Sequence, residues 1–247
     1  MKILHTADWH LGQTFYEYDR REEHLHFLEW LKQQIRQHEI DVLLIAGDVF
    51  DSPNPSAESQ RMYYRFLREV TSENPSLQII IIAGNHDSAA RLEAPNPLLE
   101  DMNIIVRGTV RRNAEADIDL QHFIVPLYTE GKVTAYCLAV PYLRQGDYPS
   151  AENYSKGVQQ LYEQLFNKVK EKGIPVVAMG HLQATGSEIS EDDRSERTVI
   201  GGLECVSPDA FNEAITYTAL GHLHRSQRVS HRENVRYSGT PMPMSFA

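Results

Sequence analysis

The stretch DVLLIAGDVFD, residues 41–51, sets the architecture. Five apolar residues, Val42 to Ala46, run without a polar break, and then a glycine and two carboxylates, Asp48 and Asp51, follow at once. A short β-branched run of this kind suits a strand covered on both faces, as between two helical layers. The same pattern recurs along the chain. KILHTA (2–7) leads to Asp8 and His10, LQIIIIAG (77–84) to Asn85, His86 and Asp87, PVVAMG (175–180) to His181, and ITYTALG (215–221) to His222 and His224. VTAYCLAV (133–140) is a further strand without a polar ending.

Helical patterns lie between these runs. Segment 155–172 carries Val158, Leu161, Tyr162, Leu165, Phe166 and Val169 on one stripe, with Ser155 as N-cap and Gly173 and Pro175 as the stop. Segment 21–38 spaces Leu25, Leu28, Leu31 and Ile35 in the same way, and 56–70 follows two prolines with Ser56 as cap. Strand and helix in alternation predict an α/β sandwich, its β-sheets flanked by helices on both faces. The polar stretch TGSEISEDDRSER (185–197) reads as an exposed loop.

In open α/β sheets ligands gather beyond the carboxyl ends of the strands, so this spacing delivers five sets of donors to one rim. In an extended segment residues two apart point to one side, which would let Asp8 and His10 face one ion while Trp9 packs inward, and would make His222 and His224 a bidentate pair. Taken singly, each residue has an ordinary reading as a cap or a turn. The joint pattern is what points to metal. Imidazole, carboxylate and amide donors without thiolates suit manganese, iron or zinc better than calcium, and seven donors exceed what one tetrahedral ion uses. Two ions sharing one carboxylate fit the count. Of the 11 histidines, His5, His24, His26, His38, His122 and His231 fall outside this pattern, although His5 is placed to support the site from behind. No glycine-rich phosphate loop and no GxSxG serine elbow occurs.

Composition sets the frame. With 247 residues and 41% hydrophobic content the chain can bury a large core. Two cysteines far apart, Cys137 and Cys205, cannot form a disulfide framework, and no apolar run approaches the roughly 20 residues of a membrane span. A soluble cytoplasmic protein, with no membrane partner, is expected. The formal net charge of −10 argues against a broad nucleic-acid surface, a deficit that divalent cations would offset locally.

Asp8-x-His10, Gly47-Asp48, Gly84-Asn85-His86-Asp87, Gly180-His181 and Gly221-His222-x-His224 together resemble the calcineurin-like metallophosphoesterase family. ILHTADWHLGQ, IAGDVFDSPNPS, ALGHLHRSQ and VRYSGTPMPMSF are similar to that family's bacterial DNA nucleases, which work with an ATPase. The resemblance implies that Asp8, His10 and His224 hold one ion, that Asn85, His181 and His222 hold the other, and that Asp48 bridges them. His86 would lie over the scissile phosphate as a catalytic residue, and Asp51 would act from behind the metal ligands. The ions implied are divalent, first of all Mn2+, with Fe2+, Zn2+ or Mg2+ as alternatives; they lower the pKa of water and meet the charge that develops on phosphorus. The implied activity is a 3′-5′ double-strand exonuclease and a single-strand or hairpin endonuclease in recombination and break repair, acting on DNA with the ATPase. A small-molecule phosphodiesterase or phosphatase, and a non-catalytic protein that docks the ATPase, are the alternatives.

Two further expectations come with the resemblance. Residues 1–247 would form the nuclease domain, without the capping domain and ATPase-binding helices that follow it in such proteins. A homodimer would form through segment 56–70 and the LEAPNPLLEDM stretch (92–102). Arg107, Arg111 and Arg112, and Arg225, Arg228 and Arg232, are the basic candidates for phosphate contact. Asp87 would orient an imidazole, pair with an arginine, or simply make a turn.

Overall fold

A computed structural model describes residues 1–188 and 205–244, so most of the polar loop expected over 185–197 lies outside the described residues. Twelve strands are present among them: β1 (Ile3–Thr6), β2 (Thr14–Phe15), β3 (Tyr18–Asp19), β4 (Val42–Ala46), β5 (Gln78–Ile82), β6 (Ile104–Arg107), β7 (Ile124–Thr129), β8 (Lys132–Ala139), β9 (Val176–His181), β10 (Tyr217–Gly221), β11 (Gln227–Val229) and β12 (Arg232–Tyr237). Four form an all-parallel sheet in the order β1-β4-β5-β6. Six form a mixed sheet, β11-β12-β10-β9-β8-β7, and β2 and β3 make a separate hairpin.

The two sheets pack face to face. Val42, Leu44 and Ala46 of β4 and Ile80 and Ile82 of β5 meet Cys137, Ala139, Val177, Met179 and Ala219 of the second sheet. Alanines at several of these positions leave room for the sheets to approach. The alternate residues, Leu43, Ile45, Ile79 and Ile81, face the other way onto α1 (Arg21–His38) and α2 (Ala57–Glu73). On the far side α6 (Tyr154–Val169) lays Val158, Leu161, Tyr162 and Leu165 on the six-stranded sheet. The sandwich therefore has helices on both outer faces, as expected. Each single sheet differs in one respect: one face meets helices and the other meets the second sheet, which is equally apolar and gives the same continuous hydrophobic run.

The three long helices lie where periodicity puts them. Ser56 accepts the Ser59 N–H and caps α2. The cap of α6 is Asn153, which accepts the Lys156 N–H, instead of Ser155, whose hydroxyl is drawn off to the Ser207 N–H. Met62, Tyr63, Phe66 and Leu67 of α2 are buried within this chain. Strand β7 contains Pro126, a residue that masks a strand pattern; it is tolerated because β7 is an edge strand with one neighbour. Shorter helices, α3 (Ala89–Glu93), α4 (Asn96–Leu99) and α5 (Leu120–Phe123), complete the described structure. None of the described helices is long and apolar enough to cross a membrane.

Candidate metal centre

Strands β1, β4, β5, β9 and β10 all end at the same edge of the sandwich, and their following turns bring the polar groups together. Asp8, His10, Asp48, Asn85 and His181 are buried, while His86, His222 and His224 are partly open at the rim. Atoms of Asp8, His10 and His224 lie within 4.8 Å of one another, and so do those of Asp8, Asp48 and His181 and of His10, Asp48 and His86. Asp48 belongs to two of these groups. The Asn85 side-chain oxygen sits 2.9 Å from both His181 Nε2 and His222 Nδ1, and His10 Nε2 sits 3.2 Å from His224 Nε2. His222 and His224 thus diverge to opposite halves of the cluster instead of acting as one bidentate pair.

Extended backbone is not what aims these side chains. Asp8 (φ 55°), His10 (φ 45°), Asp48 (φ 49°) and His222 (φ 99°) all adopt left-handed conformations that non-glycine residues seldom take. The ladder of β1 stops at Thr6, so Asp8 and His10 lie in a turn beyond it. Such conformations persist only where surrounding structure holds them, and they concentrate at functional sites. The Asp8 N–H donates to the Gly47 carbonyl and the His10 N–H to the Asp48 carbonyl, each at 3.0 Å. Glycines make the crowding feasible. A Cβ on Gly84 would stand 2.1 Å from Asp48 Oδ1, and one on Gly221 2.0 Å from the Ala46 carbonyl oxygen.

The electrostatics are tightly coupled. Burial pushes the Asp8 carboxyl up to about 7, against the pull of His181 and His224. Burial would raise Asp48 too, but His181, 3.2 Å away, and His10 and His86 outweigh it and hold that carboxyl well below the usual carboxylate range. Burial lowers His181 while Asp48 and Asp8 raise it further, leaving it at about 9. His181 Nδ1 donates to the Ala46 carbonyl at 2.8 Å, because a carbonyl only accepts, so its Nε2 faces the cluster.

These residues fit divalent cations. Asp8 Oδ2 is fully buried and has no hydrogen-bond partner among the described residues. Buried carboxylates are otherwise paired or metal-bound. Two donors about 2.0–2.2 Å from one ion, at angles near 90–110°, stand about 3.0–3.5 Å apart, close to the spacings seen here. Cations would take over the charge balance that a protonated His181 otherwise supplies.

Around the cluster, Asp51 Oδ1 lies 3.3 Å from His10 Nδ1, and its backbone carbonyl accepts from His86 Nδ1 at 2.9 Å. Asp87 is neither an arginine partner nor an imidazole orienter. It accepts backbone N–H groups from Val49, Phe50 and Gly84 and so staples the Asp48 and Asn85 turns together. His5 lies between the sheets with Nδ1 3.0 Å from the Tyr217 hydroxyl. The six arginines singled out by sequence are engaged elsewhere: Arg107, Arg112 and Arg232 with backbone carbonyls, Arg111 with Glu93, Arg225 with Glu188 and Arg228 with Glu233. Sequence missed Tyr142, whose ring lies 6.2 Å from that of His181 and carries the Arg144 guanidinium 5.9 Å above it.

Fold and site together define a metal-dependent phosphoesterase. The chain matches the calcineurin-like phosphoesterase family over residues 1–226 and belongs to that family. It is similar to the D subunit of the nuclease SbcCD from Rhodobacter capsulatus, at 41% identity over 257 residues, covering 99% of this chain and 63% of that protein. The proteins of the same name from Escherichia coli K12 and Bacillus subtilis are 33% and 30% identical, each covering all of this chain and 62% and 63% of their own lengths. The chain therefore spans less than two thirds of these relatives.

Proposed function

We propose that residues 1–247 form the nuclease domain of a DNA nuclease that acts in the cytoplasm with an SbcC-type ATPase in DNA recombination and repair. The gathering of seven donors, Asp48 among them, at one edge, with His86 at the rim, carries this reading, and the names of the relatives point to the substrate and partner. Asp8, His10 and His224 would hold one divalent ion and Asn85, His181 and His222 the other, with Asp48 shared between them. Manganese, iron or zinc suits this donor set, and manganese is the ion proposed. Two such ions, when bound, would supply a water nucleophile at neutral pH and positive charge against the phosphate.

The protein's own groups do the rest. The His86 N–H donates to Asp48 Oδ1 at 2.9 Å, and its Nδ1 donates to the Asp51 carbonyl, which fixes the ring beside the cluster. From there His86 protonates the leaving oxygen or steadies the charge on the phosphate. The Asp51 carboxylate, beside His10 Nδ1, orients that imidazole in the manner of a carboxylate behind a metal-binding histidine. Arg144, exposed on the Tyr142 ring that lies beside His181, is a cation placed to meet the strand beyond the cleaved bond.

The homodimer would form through segment 56–70 and residues 92–102, beside a groove of about 370 Å³ whose lining includes Pro53, Gln60, Tyr64, Arg91 and Pro95; Met62, Tyr63, Phe66 and Leu67 of that segment are buried in the chain's own core. Sedimentation at micromolar concentration reports it.

The test is digestion of plasmid and hairpin DNA with manganese, magnesium and chelator, using the wild type and His86→Ala. Cleavage is expected only with the metal, and the variant is expected to keep both ions while losing most cleavage. Metal loss equal to the activity loss would contradict the role of His86. Turnover of a cyclic nucleotide without DNA cleavage would favour a small-molecule phosphodiesterase.

A further inference from the structure

The two halves of the cluster are not held alike. Asp8 and His224 follow strands of different sheets, and each lies beyond the end of its strand's hydrogen-bond ladder, which stops at Thr6 in β1 and at Gly221 in β10. One segment from far along the chain joins them. The Thr240 N–H donates to the His224 carbonyl at 3.0 Å, and the Thr240 hydroxyl donates to the Asp8 carbonyl at 2.9 Å. The same hydroxyl lies 3.1 Å from the Met242 carbonyl.

So close an approach depends on Gly239. Its φ is 72°, and a Cβ there would stand 2.6 Å from the Ser226 nitrogen and 2.7 Å from the His224 oxygen. The segment is pinned further on, where the nearly buried Arg20 donates to the Pro243 carbonyl at 2.6 Å and Met242 enters the core. Asn85 and His181 receive no hydrogen bond from Thr240 among the described residues; His181 rests on the Ala46 carbonyl instead.

We propose that the Gly239–Thr240 turn is a positioning device for one ion of the pair. Thr240 fixes the backbone from which Asp8 and His224 project, and so sets the affinity of the Asp8–His10–His224 site separately from that of the Asn85–His181–His222 site. Asp8 sits in a left-handed conformation beyond the end of the β1 ladder; its N–H is held by the Gly47 carbonyl and its Oδ1 by the His222 N–H, and Thr240 is the group that holds its carbonyl. Groups that orient metal ligands in this way change affinity by roughly 10- to 100-fold when removed. The proposal rests on the two-ion reading above.

Thr240→Val removes the hydroxyl at nearly constant shape, and Thr240→Ser restores it. Mn2+ is titrated by calorimetry into the metal-stripped full-length protein, with paramagnetic resonance of the bound Mn2+ as a second readout. The wild type is expected to bind two ions. Thr240→Val is expected to weaken one of them about 10- to 100-fold and leave the other unchanged, and Thr240→Ser to stay within about twofold of the wild type for both. Thr240→Ala serves should the valine variant fail to fold, judged by circular dichroism. Unchanged binding of both ions by Thr240→Val, or equal weakening of both that serine does not rescue, overturns the proposal alone. A wild type that binds fewer than two ions overturns the two-ion reading and the proposal with it.

Discussion

Replacing Asp87 by asparagine tests how the site is assembled. The two carboxylate oxygens of Asp87 accept three backbone N–H groups: Phe50 at 3.0 Å on one oxygen, Val49 at 3.2 Å and Gly84 at 2.9 Å on the other. The side chain is buried, and these bonds tie the turn after β4 to the turn after β5. In Asp87→Asn the amide oxygen can serve only one side. Its best orientation accepts from Val49 and Gly84 and turns the NH2 group against the Phe50 N–H, leaving one buried donor facing another. One buried unsatisfied donor costs about 1–3 kcal/mol, so about 2 kcal/mol of stability should be lost. Part of that loss is offset, because burial and the nearby Asp48 push the Asp87 carboxyl up to about 6 and asparagine escapes both. Asp87→Ala strands all three donors, for about 3–9 kcal/mol before the same offset. Urea unfolding of the metal-stripped variants at neutral pH measures these losses, and Mn2+ titration should show weaker binding, since Asp48 and Asn85 would no longer be held in register. An asparagine variant within about 0.5 kcal/mol of the wild type, well inside the expected loss, and with unaltered Mn2+ affinity would refute the stapling role.

Two other outcomes follow from geometry and burial. Gly221→Ala puts a methyl group 2.0 Å from the Ala46 carbonyl oxygen of the opposing sheet and 2.9 Å from His181 Nδ1, where backbone cannot yield cheaply; a loss at or above the usual 1–3 kcal/mol of overpacking is expected by urea unfolding, and a variant as stable as the wild type would contradict the close sheet approach. Burial, with Arg107 and Arg111 nearby, pushes His122 down to about 4, so the unfolded chain binds a proton there that the folded one refuses. Stability from this residue is intact above pH 6.5 and falls as the pH drops toward 4, so the stability difference between wild type and His122→Gln should shift against the wild type by up to about 1.4 kcal/mol per pH unit across that window; a pH-independent difference would show that His122 is freely protonated.

Which residues gather at one edge of the sandwich was legible in the chain before it folds. Each donor follows an apolar strand, and strand ends in an α/β sandwich share an edge, so Asp8, His10, Asp48, Asn85, His181, His222 and His224 group together on pattern alone. Helices α1, α2 and α6 were equally legible, because their burial repeats with the helical period. How the groups meet emerged only from the folded molecule. The alternation expected of extended chain would have paired His222 with His224, whereas left-handed turns send them to different halves of the cluster. Asp87 proved to be a staple and Asn153, not Ser155, the helix cap, since both outcomes depend on backbone groups brought close by the fold. The basic residues scattered through the sequence gave no hint of their engagement with carbonyls and carboxylates. Thr240 sits more than 230 positions from Asp8. No local pattern encodes that contact, because a hydrogen bond across two sheets is fixed by packing and not by neighbours in the chain.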